Sequence, residues 1–315
     1  IAVYALFVGW AIYRELDRGK FVRAILDSGR SSAVILFLLA AAGPFGWLLS
    51  EAKVNQGVRD LLLSISTDPL IVLDGPPDAI LGPVVRQRRR LVEALGRLDD
   101  EQWGRPTRCE GWDVRDVIVH LDSTNSFWSF SIGAGVAGSP TRFLATFDPV
   151  ASPAALVAES AEPPAVVLDR FAASTEALVT QLESLDDHGW RSLAEAPPGH
   201  ISVSAVAHHA LWDSWVHERD ILVPLGIEQV VEPDEVAASL AYAAALSPAF
   251  SVALGHGRTG VLGVSTTDPS LELAVEVGDQ VRVVDGPAEL ADLVLAGDAV
   301  ELLEGPRAMT TGAET

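Results

Sequence analysis

The apolar positions of residues 82–226 recur at the three- and four-residue spacing of amphipathic helices, and they predict four helices. Their predicted limits are Pro83–Leu98, a helix that begins at Asp113, one that follows Pro163–Pro164, and one from Ser202 or Ser204 to Gly226. Because each helix has one apolar face, we expect the four to pack as an antiparallel bundle.

A basic run, RQRRR, lies within the first predicted helix from Arg86 to Arg90. The simplest interpretation is a solvated helix face. Contact with phosphate groups or a membrane surface is the alternative.

Residues 233–304 combine a helical pattern with alternating segments and predict a small α+β domain. Pro233 is expected to open its helix. The other predicted elements are strands at Gly260–Thr266, Leu271–Val277 and Gln280–Val284 and a short helix over Pro287–Leu295. Residues 305–315 form a polar tail that we expect to be disordered.

Residues 1–74 have a different character. Ser31–Ser50 contains twenty residues without a charge, enough for a helix to cross a bilayer. Ile1–Tyr13 is apolar but too short, and Leu61–Leu73 is interrupted by Asp68 and Pro69. The basic segment Arg14–Arg30 is predicted to be cytoplasmic. A buried hydrophobic helix of a soluble protein is the alternative for Ser31–Ser50, and residues 75–81 are predicted to be a linker.

Composition excludes one class of partner. The 315 residues carry a formal net charge of -21, which is unsuited to binding nucleic acid. The single cysteine, Cys109, excludes an internal disulfide and suits a reducing compartment.

The candidate chemistry lies on the second and fourth predicted helices. His209, Asp213 and His217 follow one another at intervals of four, so their side chains share one helix face. His120 on the second helix would complete a site of three ligands with an open position, the usual form of a catalytic zinc site. Nickel, manganese and iron accept the same ligands. A simple surface ion pair is the alternative.

Several neighbours have candidate roles. His209, Asp116 and Asp220 are candidates for an additional ligand or an outer-shell partner. Trp212 and Trp215 are candidates for a substrate pocket, and core packing is the alternative. Cys109 is interpreted as a small buried residue, with a thiol ligand as the alternative.

Two motifs, RPTRCEGWDVRDVIVHLDS and HHALWDSWVHERDIL, resemble the mycothiol-dependent maleylpyruvate isomerase family, and PTRFLATFDP also has the look of a subgroup of it. The resemblance implies a DinB-like metal-binding four-helix bundle followed by a small sterol-carrier-like α+β domain. It also implies metal ligands at His120, Asp213 and His217, although the family isomerase has glutamate where this chain has Asp213. It implies an arginine for substrate carboxylates, for which Arg258 and Arg282 are candidates.

The segments YALFVGWAIYREL, AVILFLLAAAGPFGWLLSEAKV and LLLSISTDPLIVL resemble part of the large permease subunit of TRAP-type dicarboxylate transporters. This second resemblance covers residues 1–74. The expected fold class is therefore mainly α, with hydrophobic membrane-type helices preceding the bundle and the small domain.

Three functions follow. The first is a zinc- and mycothiol-dependent isomerase or transferase, acting on a small molecule in the cytoplasm. The second is a non-enzymatic binding module for a metal or small ligand. The third is a transporter remnant with a passenger domain, anchored in the membrane.

Membrane topology conflicts with a cytoplasmic bundle. If Arg14–Arg30 is cytoplasmic and Ser31–Ser50 spans the membrane, the bundle emerges on the outer side unless Leu61–Leu73 returns the chain. The junction is therefore also interpreted as an accidental fusion.

Overall fold

The computed structural model describes residues 18–19, 21–23, 26, 68–146, 151–287 and 291–305. The chain divides into two compact units, Ile1–Thr67 and Asp68–Thr315, and the second contains both the bundle and the small domain. The apolar segments predicted at Ile1–Tyr13 and Ser31–Ser50, and the tail from residue 306, lie outside the described residues.

Four long helices occupy the predicted bundle region, which confirms a mainly helical fold. Local signals set their starts: Asp113 and Asp116 form a reciprocal capping box, and the Ser202 side chain accepts from Ala205 N at 3.1 Å. The helices are α1 (Leu81–Leu95), α2 (Asp100–Trp103), α3 (Val114–Val136), α4 (Ala151–Glu159), α5 (Pro164–Glu183), α6 (Asp187–Arg191) and α7 (Val203–Leu222).

Apolar side chains on the facing sides of the long helices are almost fully excluded from solvent. They include Val84, Leu91, Ile118, Leu121, Phe171 and Leu178. Burying one such side chain stabilises the fold by roughly 1.5–3 kcal/mol. α7 packs against both α1 and α3, so this core fixes the helices that carry the candidate ligands.

The basic run of α1 is a solvated face only in part, contrary to the prediction. Arg89 is exposed and pairs with Glu176, but Arg88 is fully buried. Arg88 Nη2 donates to Ala210 O at 2.9 Å, and Nη1 donates to Asn125 Oδ1. Burying a guanidinium is costly unless its donors are satisfied; Nη1 and Nη2 have these partners, which lie far along the chain, whereas Nε has none among the described residues.

Arg90 is the second exception. Its side chain is 18% exposed, and Nη2 lies 2.8 Å from both Glu218 Oε2 on α7 and Glu235 Oε2. Arg86 Nε lies 2.9 Å from Glu235 Oε1. The basic run therefore joins α1 to α7 and to the helix that follows the bundle.

The region after the bundle has the predicted α+β form. Its helices are α8 (Pro233–Ala253) and α9 (Ala299–Glu304), and its sheet is built from β1 (Ile71–Leu73), β4 (Gly260–Thr267), β5 (Ser270–Val277), β6 (Val281–Asp285) and β7 (Leu293–Gly297). The strand order is β1-β6-β5-β4-β7, in which β1 pairs parallel to β6, β7 pairs parallel to β4, and the other pairs are antiparallel. A separate hairpin joins β2 (Leu193–Ala196) to β3 (Gly199–Ser202).

Two predicted elements differ. Ile71–Leu73 falls in the range assigned to the N-terminal fragment, yet Ile71 is fully buried and pairs with Val281 in the sheet. The helix predicted over Pro287–Leu295 is wrong where the structure describes it, because Leu293–Gly297 is a strand. Short apolar runs do not distinguish helix from strand by periodicity, and here parallel pairing with β4 decides.

Among the described residues, α8 is the one helix whose length and composition would suit a membrane crossing. One third of that apolar window is buried, and α8 packs against α7 and the sheet. It also carries the fully buried Glu235 and Tyr242, which contact the bundle.

Gly135 marks the closest approach of α3 to the β2–β3 hairpin. A Cβ atom there would lie 2.2 Å from Leu193 O, so Gly135→Ala should lower the free energy of unfolding by about 1–3 kcal/mol. Urea unfolding measures this. Gly133→Ala is the matched control, because its Cβ would meet only the flexible Gln181 side chain at 3.4 Å. Equal stability of the two variants would contradict the prediction.

Candidate metal centre

Helices α3 and α7 bring the three predicted ligands together. Asp213 and His217 lie one turn apart on α7, and His120 faces them from α3. Asp213 Oδ1 lies 3.6 Å from His217 Nε2 and 4.0 Å from His120 Nε2, and the two imidazole centroids are 5.2 Å apart. The three ligand atoms lie within 4.8 Å of one another, close enough to share one cation.

The cluster fits a divalent cation on an observation independent of spacing. Asp213 Oδ2 is buried and has no hydrogen-bond partner among the described residues. A buried carboxylate oxygen without a partner is costly, and a bound cation would satisfy it. The three side chains are 14–17% exposed, so the cluster is sheltered but reachable.

Charge around Asp213 is arranged to keep it ionised. Burial raises the pKa of Asp213, but the contact with His120 and the positive charge of His217 lower it by a larger amount. The pKa of Asp213 therefore lies well below its usual value. Burial lowers the pKa of His217, but the contacts with Asp220 and Cys109 and the charge of Asp213 raise it to about 10. A cation at this cluster must therefore displace a proton from His217.

The second ring nitrogen of His217, Nδ1, contacts Asp220 and Cys109. His217 Nδ1 lies 3.1 Å from Asp220 Oδ2 and 3.6 Å from Cys109 Sγ. Because a carboxylate only accepts, Nδ1 carries the proton and Nε2 points towards Asp213. The Cys109 thiol also donates to Asp220 Oδ2, at 3.3 Å. Cys109 is thus in reach of the site, which the interpretation as a small buried residue did not anticipate.

The remaining candidates have other surroundings. His209 lies in the core, where its Nδ1 is 2.7 Å from Tyr242 Oη, so this nitrogen is engaged outside the cluster. Asp116 serves the cap of α3 and pairs with Arg115 at 2.8 Å.

Trp212 and Trp215 differ in their exposure to solvent. Trp212 is partly exposed and meets the His209 ring edge-on, with centroids 5.5 Å apart, so its exposed part is accessible to a ligand. Trp215 is 1% exposed in the core and contacts the Arg219 guanidinium at 4.9 Å. The pocket role predicted for Trp215 is therefore replaced by the alternative, core packing.

The arginine candidates lie elsewhere. Arg258 is exposed in the loop after α8, and Arg282 on β6 pairs with Asp74 at 3.3 Å. Arg108 lies behind His217, with its Nε 3.3 Å from Asp220 Oδ1. Sequence reasoning missed it, although it directly precedes Cys109 in the first motif.

The loop that precedes α3 places Cys109 and Trp112 beside the cluster. Trp112 N donates to Cys109 O at 3.0 Å, and Gly111 takes a φ of +80° that favours glycine. The turn brings the Trp112 ring to 5.5 Å from the His120 ring, where it forms one wall of the cluster.

The bundle has known relatives. Residues 84–222 match the family model of the mycothiol maleylpyruvate isomerase N-terminal domain. Two solved structures, the mycothiol-dependent maleylpyruvate isomerase and a mutant of it, share the fold with TM-scores of 0.53 and 0.52. They are 16% and 15% identical in sequence and cover 74% and 73% of this chain and 91% and 88% of their own. At this identity the likeness establishes the fold alone, and it confirms the predicted resemblance.

The N-terminal resemblance is also confirmed. Residues 1–74 match the tripartite ATP-independent periplasmic transporter, DctM component. Relatives are the sialic acid TRAP transporter large permease protein SiaM of Vibrio cholerae, 29% identical over 23% of this chain, and the 2,3-diketo-L-gulonate TRAP transporter large permease protein YiaN of Escherichia coli, 32% identical over 22%. The chain spans 17% of the length of each.

Burial of His209 should make stability depend on pH. Burial lowers the pKa of His209 to about 4, and that of His208 likewise, against an ordinary value of 6.5. The unfolded chain then binds more protons between pH 6.5 and 4, so the free energy of unfolding should fall as pH falls through that range. For one histidine the loss is at most roughly 3 kcal/mol.

His209→Gln should flatten this dependence in urea titrations of the metal-free protein. The exposed His188 provides the control, because His188→Gln should leave the slope unchanged. A wild-type protein equally stable at pH 4.5 and 6.5 would refute the prediction.

Proposed function

We propose that this chain binds a divalent cation, zinc first, through His120, Asp213 and His217, and acts as a metal- and thiol-dependent isomerase or transferase. The observation that carries the proposal is the unpartnered, buried Asp213 Oδ2 within a cluster of two imidazoles and a carboxylate. The match to the mycothiol maleylpyruvate isomerase N-terminal domain supports mycothiol as the thiol.

The ligand set suits zinc for chemical reasons. Imidazole nitrogens and a carboxylate oxygen are its usual protein ligands, and three of them leave one position for a thiol or water. When bound, zinc supplies Lewis acidity that lowers the pKa of a coordinated thiol or water. The aspartate at 213 is one methylene shorter than the glutamate expected from the family, so a tighter site, His209 or a water would have to compensate for the shorter side chain.

The residues of the chain have separable roles in this proposal. His120, Asp213 and His217 hold the cation, and Asp220 fixes the proton of His217 on Nδ1. Trp112 limits access of water beside His120. The thiolate would add to one carbon of the double bond of an unsaturated acid while the π electrons move onto the conjugated carbonyl. Rotation about the resulting single bond would follow, and the returning electrons would re-form the double bond and expel the thiolate.

The bundle is proposed to act in the cytoplasm, where low-molecular-weight thiols and a reduced Cys109 occur together. Membrane association is proposed for residues 1–67, on the similarity of residues 1–74 to a transporter component.

Zinc binding should depend on the cluster and on no other histidine pair. The purified full chain should bind one zinc per chain, and His217→Ala should lose it, because a two-ligand site holds zinc poorly. Elemental analysis after dialysis measures the stoichiometry. His256→Ala removes an exposed histidine and should retain full zinc. A wild-type chain free of zinc under these conditions would contradict the proposal.

Turnover should require both metal and thiol. With mycothiol and maleylpyruvate, the substrate named for the relative, the wild-type chain should convert the cis acid to its trans isomer. His217→Ala should reduce the rate by more than about 100-fold, beyond the effect of an outer-shell partner. Loss of ultraviolet absorbance of the cis acid measures the rate, and His256→Ala is the control. Stoichiometric zinc without turnover on a panel of unsaturated diacids would favour the binding-module alternative.

A further inference from the structure

A network of charged side chains connects α9, the last described helix, to His217 of the cluster. Glu304, the final residue of α9, accepts from Arg108 Nη1 at 3.1 Å. Arg108 Nε lies 3.3 Å from Asp220 Oδ1, and Asp220 Oδ2 lies 3.1 Å from His217 Nδ1. Three segments distant in sequence thus meet on one imidazole.

These groups are sheltered from solvent, which strengthens their interactions. The side chains of Glu304 and Asp220 are 3% and 11% exposed, and that of Arg108 is 25% exposed. Ion pairs at such burial are screened much less than surface pairs. Each member also occupies a defined place, because a sheltered charge without its partner is costly.

Further contacts fix the positions of Glu304 and Arg108. Arg219 Nε pairs with the other oxygen of Glu304, and the Arg219 guanidinium rests on the Trp215 ring. The backbone N–H of Arg108 donates to Asp220 O at 3.1 Å, which docks the loop on the end of α7. Glu304 is therefore held from two sides, and Arg108 is held at both its backbone and its side chain.

We propose that Glu304 and Arg108 are positioning residues for the metal ligand His217. Arg108 occupies Oδ1 of Asp220 and leaves Oδ2 facing His217, and Glu304 fixes the guanidinium that does so. Outer-shell partners of this kind set the tautomer and ring orientation of a ligating histidine. The C-terminal helix would in this way tune a site built wholly by the bundle, an inference that rests on the proposed metal site.

Positioning and simple charge make opposite predictions for one of the two residues. If charge alone acted, Arg108→Gln would remove a positive charge near the cation and strengthen zinc binding, whereas Glu304→Gln would weaken it. If the residues act by positioning Asp220, both substitutions weaken binding. The sign of the Arg108 effect therefore separates the two explanations.

The experiment measures the zinc dissociation constant of the full chain by competition with a chromogenic chelator. Arg108→Gln and Glu304→Gln should each weaken binding about 10- to 100-fold, the range for outer-shell partners. The double variant should be no weaker than the weaker single variant, because both act through one contact. Glu301→Gln on α9 and Arg105→Gln in the same loop, both exposed, are controls that should bind as wild type does.

The outcomes are distinguishable. A wild-type chain without zinc overturns the proposed function and this inference with it. A wild-type chain with zinc overturns only the inference if the two single variants bind normally, shift in opposite directions, or lose thermal stability without losing affinity. Should Glu304→Gln fail to fold, Glu304→Asp shortens the same side chain while keeping its charge, and it too should weaken zinc binding.

Discussion

The carboxylate of Asp213, which lies inside the helical bundle and whose Oδ2 is buried, is the constraint on which this structure depends. Sheltering an ionised aspartate from water is costly unless neighbouring groups compensate its charge. His120 and His217 face Asp213 Oδ1, and the buried Arg88 adds its charge from α1. The resulting cluster has candidate ligands on two helices and a cationic side chain on a third, so it can form only when the bundle is assembled.

α7 connects this site to the rest of the unit. Besides Asp213 and His217, it carries Glu218, which meets Arg90 of α1, and Asp220, which meets the loop before α3. Glu218 and Glu235 share Arg90, so the same guanidinium that ties α7 to α1 also ties the bundle to α8. A shift of α7 along its axis would disturb all of these pairs together, and this coupling favours a single well-defined position for the ligands.

The local parts of this arrangement could be predicted from sequence. The interval of four between Asp213 and His217, the cap at Asp113 and the start at Ser202 depend only on neighbouring residues, and the helices appear where these signals place them. The burial of Arg88 could not be predicted, since five polar residues in a row resemble a solvated face and the acceptors on Asn125 and Ala210 are remote. The strands β1 and β7 could not be predicted for the same reason, because each is defined by a parallel partner that lies elsewhere in the sequence.

The position of β1 alters how the domain division should be understood. Ile71 precedes the bundle in sequence but pairs with β6 after it, and Leu70 N donates to His200 O of the hairpin at 3.0 Å. The sheet therefore contains chain from both sides of the bundle, and a cut at residue 75 would remove one of its strands. Together with the contacts of α8 and Glu304, this makes the bundle and the sheet interdependent, so α9 contacts the surroundings of His217 through Arg108 without reaching the candidate cluster itself.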